Sequence, residues 1–393
     1  MNIAILDREV QEFIRKNISK DIVEISLSKS PFQNVSSKEL AEQIDSKKRS
    51  EIKLPLWYNT DYIYYPPKIA IEQCSSEATA KYKATLISGE SVIDLTGGFG
   101  VDACLFSKQA KHVVHCEINK ELSEVSNYNA SVLGVDTTYI TTNGIEHLKT
   151  INEVFDTVYV DPSRRISSRK VFLLKDCEPD VVCNKDLLLE RSLRLIVKTA
   201  PLLDIQSTVK ELGEVSQVHV LSMKNECKEV LYIIDRAFSE SDPPIICAML
   251  NDAGNLTFEF KLSEEKTFHL DSYSEPLKYM YEPDVALLKA GCFKLITSYF
   301  NVKKIHQHTH LYTSEELNGN FPGRQFKIIE FESYSAFLKQ QTFTKANIIC
   351  RNFPISPENI RKKLKIRDGG NEYLLFCRGS KNELLAVHCE RIL

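Results

Sequence analysis

Residues 92–102, VIDLTGGFGVD, constrain this chain more than any other stretch. An apolar run, Val92 and Ile93, ends in Asp94; a turn carrying Gly97, Gly98 and Gly100 follows, then a helical pattern through Ala103, Leu105 and Phe106. The order is strand, glycine loop, helix. Glycines are needed where backbone passes against a ligand with no room for a Cβ, and the helix that follows opens with unpaired N–H groups suited to a polar or anionic ligand. A tight strand-to-helix turn with no ligand has the same local signature, so the strands that come next decide between the two.

Downstream, strand and helix alternate with short connections. Candidate strands cover 112–116, 138–142, 155–160, 194–199, 215–221 and 229–234. This alternation predicts an α/β, Rossmann-like fold, an open and mainly parallel seven-stranded sheet with helices on both faces and ligands at the carboxyl ends of its strands. Polar residues fall at those ends: Asp94, Glu117, Asn143, Asp161 and Lys198. Glu117 is placed to accept both hydroxyls of a ribose, Asn143 to meet an adenine edge, and Ile118 and Ile145 to sandwich the ring. Thr96 and Gly144 complete the expected adenosine site. Upstream, EQCSSEATAKYKA at 72–84 predicts a helix with Ser75 or Ser76 as N-cap, which either simply caps or also presents hydroxyl and N–H groups to the same ligand.

Two cofactors suit an adenosine site. Gly98, Gly100 and Ala103 satisfy the G-x-G-x-x-A spacing of a dinucleotide fold. Asp94 directly after the strand, the acidic second strand end and the D-P at the fourth fit S-adenosyl-L-methionine better, and the region resembles the class I methyltransferases. That resemblance places the substrate-facing motif at VYVDPSRRISSRK, 158–170: Asp161, Pro162, Ser163 and Arg164 as the catalytic turn, with Asp161 a base or a hydrogen-bond acceptor. Arg164 and Arg165 suit phosphate oxygens. Lys198, Glu226 and Lys228 are candidates for the opposite wall. Ser163 and Arg164 replace the stacking aromatic of adenine N6 methyltransferases, and LIVKTAP lacks the nucleophilic cysteine of pyrimidine C5 enzymes, leaving direct in-line transfer to nitrogen or oxygen.

The remaining chain divides by pattern into a helical region at 1–70, the cofactor domain at 71–240, a linker with a ferredoxin-like α+β element at 241–320, and a last domain at 321–393. Trp57, Tyr58, Tyr62, Tyr64 and Tyr65 cluster near basic residues, a pattern read as core at a seam ahead of base stacking. In the last part, EPDVALLKAGCFKLI predicts one helix and IHQHTHLYTS one strand, with His306, His308 and His310 on a single face and no metal site. Residues 347–381 carry eight basic and three acidic side chains, a local charge of +5 on a protein of net charge −3. Arg361, Lys362, Lys363 and Lys365 there form the expected phosphate-binding face of a βαβ element. Eleven cysteines without a C-x-x-C pair exclude a zinc ribbon or disulfide scaffold. The absence of a long apolar run or a leader at Met1 predicts a cytoplasmic protein without a membrane span.

Taken together, EQCSSEATAKYKA, DLTGGFGVD, DPSRR, LLKAGCFK, LYTS, FPGR and KKLKIRDGG resemble a bacterial family of class I methyltransferases with a C-terminal α+β THUMP-like domain, over nearly the whole chain. The resemblance implies S-adenosyl-L-methionine as cofactor and, through the RNA-binding habit of THUMP domains, an RNA substrate such as tRNA or rRNA. Two alternatives stand beside it: a methyltransferase of a small anionic metabolite, and a non-catalytic RNA-binding protein with a vestigial cofactor site.

Overall fold

The computed structural model describes residues 1–164, 173–238, 241–251, 254–340 and 342–392, without the side chain of Arg164. By internal contacts the chain forms two units, Met1–Ser216 with Val230–Ser241, and Gln217–Glu229 with Asp242–Leu393.

The first unit opens with short helices: α1 (Arg8–Lys16), α2 (Ile22–Leu27), α3 (Ser37–Lys53), α4 (Pro55–Asn59), α5 (Lys68–Gln73) and α6 (Glu77–Ala84). The Ser36 and Glu39 pair forms a capping box that starts α3. The helix predicted over 72–84 begins only at Glu77, because Ser76 caps it and Cys74 to Ser76 are extended or turning away from α5. Trp57, Tyr64 and Tyr65 are buried in the core with Ile5, Ile14, Leu40 and Ile44, so these three of the five aromatics are packing, whereas Tyr58 is half-buried and Tyr62 is 43% exposed. The segment through Tyr64 and Tyr65 belongs to no strand, and its backbone groups are satisfied by side-chain amides instead. Gln43 of α3 accepts from Tyr65 N at 2.9 Å and donates to its carbonyl at 2.6 Å. Asn129, in α8 (Lys120–Val132), does the same for Tyr64 at 2.9 and 2.8 Å.

The sheet of this unit contains β1 (Ser91–Asp94), β2 (His112–Glu117), β3 (Thr138–Thr141), β4 (Phe155–Val160) and β5 (Ser192–Thr199), joined by α7 (Val101–Phe106), α8, α9 (Gly144–Thr150) and α10 (Lys185–Glu190). The neighbours run β3-β2-β1-β4-β5, all parallel. After α11 (Ile205–Leu212) come β6 (Gln217–Met223) and β7 (Glu226–Asp235). The end of β7 pairs antiparallel with β5. Within the first unit the strand order is therefore 3-2-1-4-5-7, as a class I methyltransferase sheet requires. Wholly buried Val, Ile and Leu residues fill β4 and β5, as a sheet covered on both faces requires.

In the second unit, β8 (Pro244–Leu250) runs parallel to β6, and β9 (Leu256–Lys261) pairs antiparallel with β8. A separate seven-stranded sheet follows: β10 (Tyr279–Pro283), β11 (Lys303–His306), β12 (Thr309–Ser314), β13 (Gly323–Ser333), β14 (Asn347–Arg351), β15 (Glu372–Arg378) and β16 (Leu384–Arg391). Its order is β11-β12-β10-β13-β16-β15-β14, and only β14 and β15 are parallel, joined by the basic helix Pro357–Leu364. Two predictions fail locally. The helix expected over 282–296 breaks into Val285–Ala290 and Leu295–Tyr299, because Gly291 turns left-handed at φ 80° and caps the first. The histidine strand is a hairpin, with His306 ending β11, His308 in the turn and His310 in β12.

The amide clamps supply a test of how the helical region is anchored. Replacing Asn129 by Ala leaves both backbone groups of Tyr64 buried and unpaired, which should cost about 2–4 kcal/mol. Urea unfolding of the variant should show that loss without a change in slope; an unchanged midpoint would show that Tyr64 finds other partners.

Candidate active site

The glycine loop is held by the ends of its neighbouring strands. Leu95 N–H donates to the Tyr159 carbonyl of β4 at 3.0 Å, and Gly97 N–H to the Cys116 carbonyl of β2 at 2.9 Å. Gly98 and Gly100 have φ values of 55° and 77°, conformations that cost a side-chain-bearing residue. Gly97 is needed for a different reason: a Cβ there would lie 2.1 Å from Nε2 of His115, whose ring fills the space beneath the loop. Burial pushes His115 down to about 4, so the ring is neutral at pH 7. Gly144 lets α9 approach β1, since a Cβ would stand 2.4 Å from the Leu95 carbonyl oxygen.

Two N–H groups of this loop are already engaged. Gly100 N–H donates to the Gly97 carbonyl at 2.9 Å, and Gly98 N–H to the Glu117 carboxylate at 2.9 Å. The second oxygen of Glu117 accepts from Asn119 N–H at 2.6 Å. A dinucleotide needs glycine-loop amides for its pyrophosphate, and at Gly98 a carboxylate takes that place, which disfavours a phosphate there. Ile118, 72% exposed, and buried Ile145 stand beside Glu117 and Asn143 at adjacent strand ends. Asn143 caps α9, its Oδ1 accepting from Ile145 and Glu146 N–H at 3.0 and 3.2 Å, which fixes the side chain.

Beneath the loop lies an ionic network that the sequence reading missed. Lys83 of α6 is fully buried and pairs with Asp102, in the first turn of α7, at 2.9 Å. Lys83 Nζ also donates to Ser75 Oγ at 2.5 Å, and the Ser75 hydroxyl donates to Asp102 at 2.7 Å. Tyr159 OH donates to the same Asp102 oxygen at 3.2 Å. Burial alone would raise the Asp102 carboxyl, but Lys83, then Lys198, and the bonds from Lys83 and Ser75 hold it below the usual carboxylate range. Ser75 is thus committed inside the protein, and Ser76 Oγ accepts from Thr79 N–H as the cap of α6. Asp94, 1% exposed, accepts from Thr96 N–H at 3.0 Å and from Thr96 Oγ1 at 3.4 Å. Burial, then the nearby Asp102 and Asp161 charges, push it up to about 8.

Thr96 Oγ1 also accepts from Asp161 N–H at 2.7 Å, tying the end of β1 to the end of β4. The Asp161 carboxylate accepts from Lys198 Nζ at 2.5 Å and is 32% exposed. Pro162 is buried, and Ser163 pairs through its backbone with Glu178. Arg165 and the Arg164 side chain lie outside the described residues. Glu226 and Lys228, at the start of β7 in the second unit, pair with each other at 2.7 Å.

A Porphyromonas gingivalis W83 protein, whose crystal structure is described as that of a candidate methyltransferase, matches 98% of both chains at 30% identity and a TM-score of 0.88. The chain belongs to this methyltransferase family. A Mycobacterium tuberculosis protein named as an uncharacterised S-adenosylmethionine-dependent methyltransferase is 22% identical over 330 residues, 81% of this chain and 87% of that one. A Mycoplasma mobile protein named as an uncharacterised RNA methyltransferase is 36% identical over 77 residues, 19% of this chain and 21% of its own. Family models described as a ferredoxin-like domain and a THUMP domain-like fold match residues 279–322 and 323–391. The protein is a class I S-adenosylmethionine-dependent methyltransferase with a C-terminal THUMP-like domain. Its donor set fits that cofactor: carboxylates at the loop floor for a sulfonium cation, an acid for ribose, a fixed amide and exposed aliphatic carbon for adenine.

The buried Lys83 to Asp102 pair makes a second test. Lys83→Met strands a buried carboxylate and should lower stability by about 3–5 kcal/mol, whereas Lys83→Met with Asp102→Leu should recover much of it. Thermal unfolding of the two variants distinguishes them; equal losses would mean that the pair is not what holds α6 against α7.

Proposed function

We propose that this methyltransferase modifies RNA, at a nitrogen or oxygen, by direct in-line transfer. The observation that carries the RNA reading is the basic face of the THUMP-like domain. Lys362 and Lys363 are exposed on the helix Pro357–Leu364, whose last turn is where cations offset the helix dipole. Lys365 follows in a left-handed cap at φ 55°, and Lys345 and Arg367, also exposed, face each other across a backbone bridge. Arg361 is turned inward onto Asp368, so the phosphate-facing role falls to the lysines and Arg367. Clustered cations on a near-neutral protein bind a polyanion by displacing its counterions. The RNA methyltransferase name of the Mycoplasma mobile relative points the same way.

At the catalytic end, bound S-adenosylmethionine supplies an activated methyl group, and the chain does the rest. Glu117 takes the ribose hydroxyls, Asn143 with Gly144 meets the adenine edge, Ile118 and Ile145 cover its faces, and Asp94, Thr96, Gly97, Gly98 and Gly100 form the floor. Ser75 and Ser76 shape the wall from behind. Asp161 is held from two sides, by Lys198 on its carboxylate and by Thr96 on its N–H. A carboxylate fixed this way orients the N–H or O–H of the acceptor and takes its proton when the acceptor must lose one. Pro162 keeps the turn rigid, Ser163 follows it, and Arg164 and Arg165 are the candidates for phosphate oxygens of the substrate.

Radiolabelled methyl transfer to total RNA from cells lacking the gene tests this reading. Label should enter that RNA and not wild-type RNA, and Asp161→Asn should slow transfer by about 100-fold or more while cofactor affinity stays within a few-fold. Label in small molecules alone would favour an anionic metabolite instead. Separately, Lys362, Lys363 and Lys365 changed together to Gln should reduce the slope of log affinity for RNA against log salt by about 2–3. An unchanged slope would remove this face from the interface.

A further inference from the structure

Among the described residues, the floor of the cofactor site carries an unbalanced charge. Three carboxylates there, Asp94, Asp102 and Asp161, share it with two described ammonium groups, Lys83 and Lys198. Both lysines are committed: Lys83 to Asp102 at 2.9 Å and Lys198 to Asp161 at 2.5 Å. Asp94 is the most deeply buried of the three acids, and its bonds in the structure come only from Thr96 among the described residues. We propose that Asp94 holds a proton in the ligand-free enzyme, that the sulfonium form of the nucleoside cofactor displaces this proton to solvent, and that the neutral thioether product does not. The proposal rests on the glycine-loop site being the cofactor site.

Of the titratable groups packed near Asp94, two acids favour this arrangement, Lys83 opposes it and the others are silent. Asp102 from α7 and Asp161 after β4 repel a charge on it, and Lys83 from α6 only partly offsets them. Lys198 acts on Asp102 and Asp161. On β2, His115 is kept neutral by burial, as is the Cys116 thiol, pushed up to about 12 by burial and by Asp94. The Tyr139 phenol on β3 is raised for the same reasons and stays neutral. Methyl transfer turns the cationic sulfonium into an uncharged thioether, so the reaction itself removes the compensating charge. Asp94 then recovers its proton, and the site no longer favours the ligand it holds. Discrimination between donor and product, normally a matter of one methyl group in contact, becomes a matter of one charge in a buried site.

The sign of the pH dependence follows. Asp94 titrates near 8 when the site is ligand-free and lower with a cation present, so between those two values donor binding strengthens as pH rises, then levels off above about 8. The experiment is titration calorimetry on the full-length protein with S-adenosylmethionine and with S-adenosylhomocysteine, in buffers of different ionisation enthalpy, from pH about 6 to about 9. The shared amino-acid and adenosine parts cancel in the comparison. At pH 7 the donor should release up to about one proton more than the product, and its preference should grow about tenfold per pH unit below pH 8. Asp94→Asn should flatten both. Tight binding of both nucleosides with equal proton release would overturn the inference alone; failure of both to bind would overturn the site assignment with it. A ligand-free arm guards against a variant that binds nothing. Because a raised carboxyl loses stability as pH climbs toward its folded value, the melting temperature of the wild type should fall behind that of Asp94→Asn as pH rises. Parallel curves for the two proteins would also overturn it.

Discussion

A lysine with no exposed surface, paired to an aspartate one helix away, is the constraint on which the catalytic unit depends. Lys83 and Asp102 sit on α6 and α7, and the water that would have solvated them is excluded by Tyr159, Ser75 and the surrounding core. Burying one such charge alone is prohibitive, so each makes the other possible. The pair fixes α6 against the start of the helix that the glycine loop feeds. With that fixed, the Ser75 and Ser76 turn has one position, and the loop has a defined wall behind it.

The same network sets the electrostatic character of the site in front. Asp102 is kept ionised by Lys83, and burial, then the ionised Asp102, makes ionisation of Asp94 expensive. Thr96 is the hinge between these carboxylates and the reacting side: its hydroxyl accepts from Asp161 N–H while its own N–H and hydroxyl serve Asp94. One small side chain thereby couples the end of β1 to the end of β4. The basic helix, by contrast, belongs to a domain with its own sheet and core, where Ile360, Leu374 and Phe376 anchor it and leave Lys362 and Lys363 in water.

What the sequence made legible was whatever depends on local chemistry. The glycine loop, the cap at Ser76 and the βαβ element with its basic helix each follow from residue types within a few positions of one another. Gly291 was visible yet read through, because LLKAGCFKLI keeps a helical spacing of apolar residues across it. The turn at Gln307 and His308 has none of the glycine, proline or asparagine that announces a hairpin, so IHQHTHLY looked like one strand. Lys83 and Asp102 were invisible for a deeper reason. In KYKA and GFGVD both have the look of exposed helix ends, and only the packing of α6 on α7 reveals that neither reaches water. His115 belongs with them, since its role under Gly97 needed the loop to be in place. A lysine in an otherwise alanine-rich helix, directly ahead of a glycine-loop strand, is the one signal that would have raised the question.

The side-chain amides at Tyr64 and Tyr65 show how a long helical lead-in is attached to such a sheet without adding a strand to it. An extended segment normally finds its hydrogen bonds along a sheet edge, and β3 is the edge on this side of the parallel sheet. Pairing there would cover the strand whose carboxyl end leads directly into Asn143. Gln43 and Asn129 instead give the segment the two bonds per residue that a neighbouring strand would have given, from helices α3 and α8 on the face of the sheet. An amide side chain carries one donor and one acceptor at nearly the spacing of a peptide group, so the substitution costs no backbone bond. The aromatic rings of the same segment then complete the core over α7, the helix that starts at the glycine loop, which is why a cluster that resembles a base-stacking surface in sequence belongs to the interior in the fold.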